Sequence, residues 1–184
     1  SSGTIQFVKT LNGAYTLNVN TDGTTRFDDQ VGNSAALISL TTNVNGTTQI
    51  NGGSINTTGE QIFNDDVELG ANTVLTSTGS GAITFNQRVN GTFTLELNTD
   101  GDTTFNGTVG DTNELVSLTT DANGTTFING GSIATEGGQL FNDAVLLGAN
   151  TVLSSSVSGS INFKSTLNGA HTLNINTAGA TIFD

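Results

Sequence analysis

Residues 3–27 read GTIQFVKTLNGAYTLNVNTDGTTRF, and residues 81–105 read GAITFNQRVNGTFTLELNTDGDTTF. The second stretch is the first displaced by 78 positions, and the match continues without a gap. Residues 3–80 and 81–158 are two full copies, identical at 46 of 78 positions, and residues 159–184 begin a third. A tandem period of this kind marks a chain built by stacking one unit on the next. The whole of 1–184 therefore reads as a single continuous segment, with both ends in phase with the repeat and no capping element at either. It is expected to be an excerpt of a longer array.

A shorter period lies inside the long one. Phenylalanine recurs at Phe7, Phe27, Phe63, Phe85, Phe105, Phe141, Phe163 and Phe183, with spacings of 20, 36, 22, 20, 36, 22 and 20. Placing Ile50 and Ile128 in the two wide gaps divides each 78-residue unit into about four coils of roughly 20 residues, the coil length of a β-solenoid. These ten residues are the expected core columns. The step from Ile50 to Phe63 is only 13 residues, so either one coil is tight or the register differs there.

Local patterning agrees with strands. Leu17-Asn18-Val19-Asn20-Thr21 alternates apolar and polar, as do Ile5-Gln6-Phe7 and Thr25-Arg26-Phe27. A period of two puts the apolar set on one face. Asn12-Gly13, Asp22-Gly23, Asn45-Gly46 and their copies are turn signals. Asn-Gly also marks hairpins, which keeps an antiparallel meander in view. Like residues recurring at coil length favour a parallel β-helix, where like stacks on like. The crossover preference of parallel strands makes it right-handed. The fold class expected is thus all-β, a right-handed parallel β-helix with uncapped ends.

Composition bounds the function. Charged residues are only 11% of the chain, and 16 acidic against 4 basic residues give a net charge of −12. Nucleic acid and anionic membrane surfaces are disfavoured partners for such a surface. No apolar run approaches the ~20 residues of a membrane helix, so membrane insertion is not expected. There is no cysteine, which removes disulfides and thiolate chemistry.

The segments ITFNQRVNGTFTLELNTDG (83–101), LVSLTTDANGTTFINGGSI (115–133) and FNDAVLLGANTVLSS (141–155) resemble the repeats of large bacterial surface proteins, the β-strand-repeat or filamentous-haemagglutinin-like adhesins. The resemblance covers essentially the whole chain. It implies export across the outer membrane of a Gram-negative bacterium, display at the cell surface as a stalk or fibre, and contact with neighbouring repeats or further copies end to end. No catalysis and no cofactor are expected, because the copies differ most at the charged residues an active site would require. Host or environmental glycans and surfaces are the ligands such a stalk would meet.

Candidate chemistry was weighed residue by residue. Asp28-Asp29 and Asp65-Asp66 are the visible carboxylate pairs, but their repeat equivalents are Asn106-Gly107 and Asp143-Ala144. A glycosidase needs two carboxylates held across the scissile bond, and only Asp65, with Asp143, persists. Both read as solvated turn residues. They are also the calcium candidates, since Asn64-Asp65-Asp66 could offer oxygen ligands, although neither the nonapeptide calcium roll nor the EF-hand loop is present. Thr25, Thr48, Thr103 and Thr126 share the parity of the core columns and should point inward, which argues against a flat ice-binding threonine array. His171 stands where earlier copies carry Tyr15 and Phe93, and reads as a variable strand or corner residue. Asn129-Gly130-Gly131-Ser132 lacks the lysine of a phosphate loop. Asn45, Asn90, Asn106 and Asn123 match the glycan-acceptor triplet, but Asn-Gly-Thr turns account for all four. Three functions follow: a structural stalk, a filament assembled end to end, and a carbohydrate-binding or carbohydrate-cleaving β-helix.

Overall fold

The computed structural model describes residues 2–184. Strands of two to six residues alternate with tight corners, all pairing is parallel, and no helix occurs among the described residues. The chain winds as a β-solenoid of about eight turns. Each turn visits three faces in the same order.

The first face stacks Ile5–Phe7, Thr24–Phe27, Thr47–Ile50, Asp66–Leu69 and Val89–Asn90. Bridges from Val89 to Val109 and from Val109 to Ile133 carry it on to Ser132–Thr135, Thr151–Ser155 and Leu173–Thr177. The second face begins with the bridged residues Leu11, Val31 and Ile55 and continues through Thr73–Ser77, Thr94–Thr99, Ser117–Thr120, Gln139–Phe141, Ile161–Phe163 and Thr181–Phe183. The third runs from Thr16–Val19 through Ser39–Thr42, Gln61–Phe63, Ile83–Phe85, Thr103–Phe105, Thr125–Ile128 and Ala144–Leu147 to Leu167–Asn168. The step between stacked partners ranges from 19 residues, Thr48 to Val67, to 24, Val109 to Ile133.

The reason for this architecture is the alternation already visible in the sequence. In most strands away from the two ends one parity is buried and the other is half-exposed, as in Thr47–Ile50 and Thr125–Ile128. A single three-sided coil has no apolar layer to cover its own face, so the coils above and below complete the core. Thr25, Thr48, Thr103 and Thr126 are buried, as their parity requires. Stacked phenylalanines lie nearly parallel, with ring centroids 5.1 Å apart for Phe7–Phe27 and 5.4 Å for Phe85–Phe105. Each such pair adds roughly 0.5–1.5 kcal/mol beyond the area it buries.

Eight of the ten expected core residues are buried: Phe27, Ile50, Phe63, Phe85, Phe105, Ile128, Phe141 and Phe163. Phe7 and Phe183 lie in the outermost coils, where Phe7 is partly covered and Phe183 is 60% exposed. Their stacking corrects the expectation that each follows the last in one coil position. Ile50 is paired with Leu69, not with Phe63, and Ile128 with Leu147, not with Phe141. The 13-residue step is therefore not a tight coil. Phe7, Phe27, Ile50 and Leu69 stack on the first face. Phe63, Phe85, Phe105, Ile128 and Leu147 stack on the third. Phe141, Phe163 and Phe183 stack on the second. The physical reason is that strand pairing aligns whole strands; Leu69 and Leu147 fill the same inward slot as phenylalanine and satisfy the column.

Corners are held by backbone proximity and by amide ladders. Gly46 and Gly124 have φ of +96° and +75°, and a Cβ there would lie 1.9–2.0 Å from the carbonyl oxygen of Gly23 or Gly101 in the coil below. Only glycine fits. One corner carries a four-rung asparagine ladder, in which Asn86, Asn106 and Asn129 each donate from Nδ2 to the Oδ1 of Asn64, Asn86 and Asn106, all at 2.7 Å.

Candidate functional site

Two places depart from the plain frame of coils and corners. The first is a loop that leaves the frame once in each full copy. Val31 and Leu37 bridge Ile55 and Thr57, so residues 32–36 bulge outward between two positions that need only one residue. In the second copy Val109 and Leu115 bridge Ile133 and Thr135, and residues 110–114 bulge likewise. Gly32 and Gly110, both at φ +71°, start the excursion. An asparagine from the preceding coil clamps each loop. Asn12 Oδ1 accepts from the backbone N–H of Ser34 and Ala35, and Asn90 Oδ1 accepts from Thr112 and Asn113. Gly13 N–H donates to the Ala35 carbonyl and Gly91 N–H to that of Asn113, closing the clamp.

Beside the loop 110–114 lies a groove of about 240 Å³, lined by Thr47, Asp66, Val67, Glu68, Arg88, Asn90, Thr112 and Asn113. Arg88 Nη2 donates to Asp66 Oδ2 at 2.6 Å. That hydrogen bond, with the guanidinium charge behind it, outweighs burial and holds the Asp66 carboxyl below the usual range. Burial pushes upward on Asp111, but the polar side chains of Thr108, Asn90 and Thr112 around it, with Thr112 Oγ1 donating at 3.3 Å, and the charge of Arg88 bring it below the usual range too. The groove is polar, carries more carboxylate than cation, and has no aromatic ring in its lining. It can hydrogen-bond a hydroxyl-rich ligand, but it holds no paired nucleophile and base. Asn90 was singled out in sequence only as a glycan-acceptor triplet; here it is 7% exposed and serves as the loop's clamp.

The second place is the buried corner at Asp65 and Asp143. The expectation of solvated turn residues is overturned: these side chains are 1% and 2% exposed. Asp65 Oδ1 accepts from Thr42 Oγ1 at 2.6 Å and from Thr48 Oγ1 at 2.9 Å. Asp143 accepts from Thr120 at 2.7 Å and from Thr126 at 2.8 Å. Two inward threonines of successive strands thus converge on one carboxylate inside the rod. Period two predicts the inward threonines, and the same parity places Asp65, two residues after Phe63, inside, although an aspartate between Asn64 and Asp66 suggests a turn. Burial pushes both carboxyls up, against the threonine hydrogen bonds; Asp66 adds repulsion at Asp65 and Asp102 at Asp143. As calcium ligands they are poorly placed, with threonine hydroxyls on their oxygens. No group of three or more His, Cys, Asp or Glu suited to a metal ion occurs among the described residues.

The remaining sequence candidates fall apart from one another. Asp28 accepts from Arg26 Nη2 at 2.9 Å and from Asn51 Nδ2 at 2.7 Å, a surface corner far in sequence from the groove. His171 is exposed, as is Tyr15 at its equivalent position. No helix among the described residues is long and apolar enough to cross a membrane. No family model, no curated protein and no solved structure matches the chain.

Proposed function

We propose that the chain is a structural segment of a stalk or fibre, without catalysis, belonging to a secreted or cell-surface adhesin of a Gram-negative bacterium. The observation that carries this reading is the repeat itself. Strand pairing passes from coil to coil on all three faces, and on each face phenylalanine stacks on phenylalanine inside the rod. Such a core stabilises length and not a cavity. The adhesin assignment rests on the resemblance of 83–101, 115–133 and 141–155, and the right hand of the coil on the crossover preference of parallel strands. Neighbouring repeats or further copies are its natural partners along the axis. Electron microscopy of the protein should show a thin unbranched rod; a compact particle would overturn the reading.

The groove beside residues 110–114 supports a second reading, a weak carbohydrate-binding surface on the same rod. Its lining of Arg88, Asp66, Glu68, Asn90 and Thr112 offers donors and acceptors to hydroxyls. A glycan array is the test: binding that is lost on Arg88→Ala would support it, and a blank array would remove it.

A further inference from the structure

We infer that one 78-residue repeat spans eleven strand segments and not twelve, so that each copy is turned by one face of the three-sided rod relative to the copy before it. Starting at Ile5 on the first face, the chain passes through inward residues 11, 17, 25, 31, 40, 48, 55, 61, 67 and 75 before reaching Ile83. Ile83 is the repeat equivalent of Ile5, yet it pairs with Gln61 and Thr103 on the third face. A twelfth segment would have returned it to the first. Three repeat-equivalent phenylalanines show the same rotation. Phe7 pairs with Phe27 on the first face, Phe85 with Phe63 on the third, and Phe163 with Phe141 on the second. The buried aspartates follow suit: Asp65 sits between the third and first faces, bonded to Thr42 and Thr48, and Asp143 between the second and third, bonded to Thr120 and Thr126.

The consequence falls on the surface. The outward loop of each copy is carried around the rod. Residues 32–36 emerge from the second face, beside Ile55, and residues 110–114 from the first, beside Ile133. The loops also differ in chemistry, GNSAA against GDTNE, where Asp111 and Glu114 add two carboxylates. Eleven segments are three and two-thirds coils, an advance of roughly 18 Å at ~4.8 Å per coil. An array of such repeats displays its loops along a screw, and the same face recurs only at every third copy, roughly 53 Å along the axis. The loops are therefore distributed around the axis, one in three on any one side of the rod. This inference rests on the register and does not depend on the adhesin reading.

The chain has no cysteine, so paired cysteines test the register directly. Neighbouring parallel strands place paired Cα atoms within disulfide reach. Gln49→Cys with Glu68→Cys, and Phe127→Cys with Leu146→Cys, join residues paired in the rotated register. Both pairs should cross-link under mild oxidation at least tenfold more than Gln49→Cys with Ile62→Cys or Phe127→Cys with Leu140→Cys. The latter pairs belong to a repeat closing in whole coils, and their preferential cross-linking would overturn the inference. Spin labels at Ser34→Cys and Thr112→Cys, both on exposed loops, give a second measurement. A separation well beyond the roughly 19 Å of four stacked coils is expected; a separation near that value would overturn it.

Discussion

The corner at Asp65 and the corner at Asp143 are the same device with different charges around it: Thr24, Asn43 and Asp66 in the first copy are Asp102, Asp121 and Ala144 in the second. In the first copy Asn43 Oδ1 accepts from the Thr21 N–H at 3.0 Å. In the second, Asp121 Oδ2 accepts from the Thr99 N–H at 2.9 Å. The geometry of the rung is unchanged. The electrostatics are not. Burial pushes the Asp121 carboxyl up to about 6, against backbone hydrogen bonds, with repulsion from Asp143 and Asp100 adding to the rise. A neutral amide and a carboxylate thus fill one slot, and only the second corner gathers Asp100, Asp102, Asp121 and Asp143. Shape sets which residues a solenoid corner tolerates; charge sets the pH at which it is most stable.

The largest effect should come from removing a threonine that holds a buried carboxylate. Thr48→Val and Thr126→Val each strip a charge-assisted hydrogen bond, at a cost of about 1.5–3 kcal/mol at pH 7.5. Urea titrations should show comparable losses for the two variants, because Asp66 repels Asp65 as Asp102 repels Asp143. A loss confined to one variant would mean that the two buried carboxylates are not held alike.

Next in size is the pH dependence. Asp65, Asp143 and Asp121 are all raised above their ordinary value of 3.8. A carboxyl with a raised folded-state pKa binds its proton more tightly when folded. It favours the folded state below the unfolded pKa, and that contribution is lost as pH rises through the folded pKa. The rod should therefore be more stable near pH 4 than at pH 7.5, with the window for Asp121 running from about 4 to about 6. Stability that rises with pH across this range would contradict the burial of these groups.

Exchanging the corners sharpens the comparison. Asp121→Asn should stabilise the chain at pH 7.5 by on the order of 1 kcal/mol, after discount for the solvent that screens this half-buried group. It should also flatten the slope between pH 4 and 6. Asn43→Asp should install the slope in the first corner. If neither exchange moves the pH profile, the difference between the corners is one of sequence alone. The smallest change expected is Asn86→Ala, which breaks the Asn64–Asn86–Asn106 ladder. Its cost is ~0.5 kcal/mol, at the low end for a hydrogen bond, and should appear as a small shift in the urea midpoint.

Much of the fold was legible in the sequence. Alternation at Ile5-Gln6-Phe7 and Thr25-Arg26-Phe27 gave the strands and the inward threonines, and the displaced copy gave the stacking. The loops 32–36 and 110–114 were not legible, because Gly32 and Gly110 each follow a valine and carry no Asn-Gly or Asp-Gly turn signal. What makes each an excursion is that Val31 and Leu37 both return to the same neighbouring strand, a fact about residues 55–57. Parity pointed Asp65 inward, but what holds a carboxylate there was hidden for a related reason. Its cost inside depends on Thr42 and Thr48 arriving from two different strands, 23 and 17 residues away.

The sequence by itself determined that this protein repeats every 78 residues and builds strands with one buried face, because tandem identity and period two can be read from the order of residues alone. Only the tertiary structure decided which coil position each residue takes. Leucine at Leu69 and Leu147 fills the inward slot that phenylalanine fills elsewhere, so residue type could not mark the column's continuation. Strand pairing did, by aligning backbone donors and acceptors along whole strands, and it set successive copies on different faces of the rod.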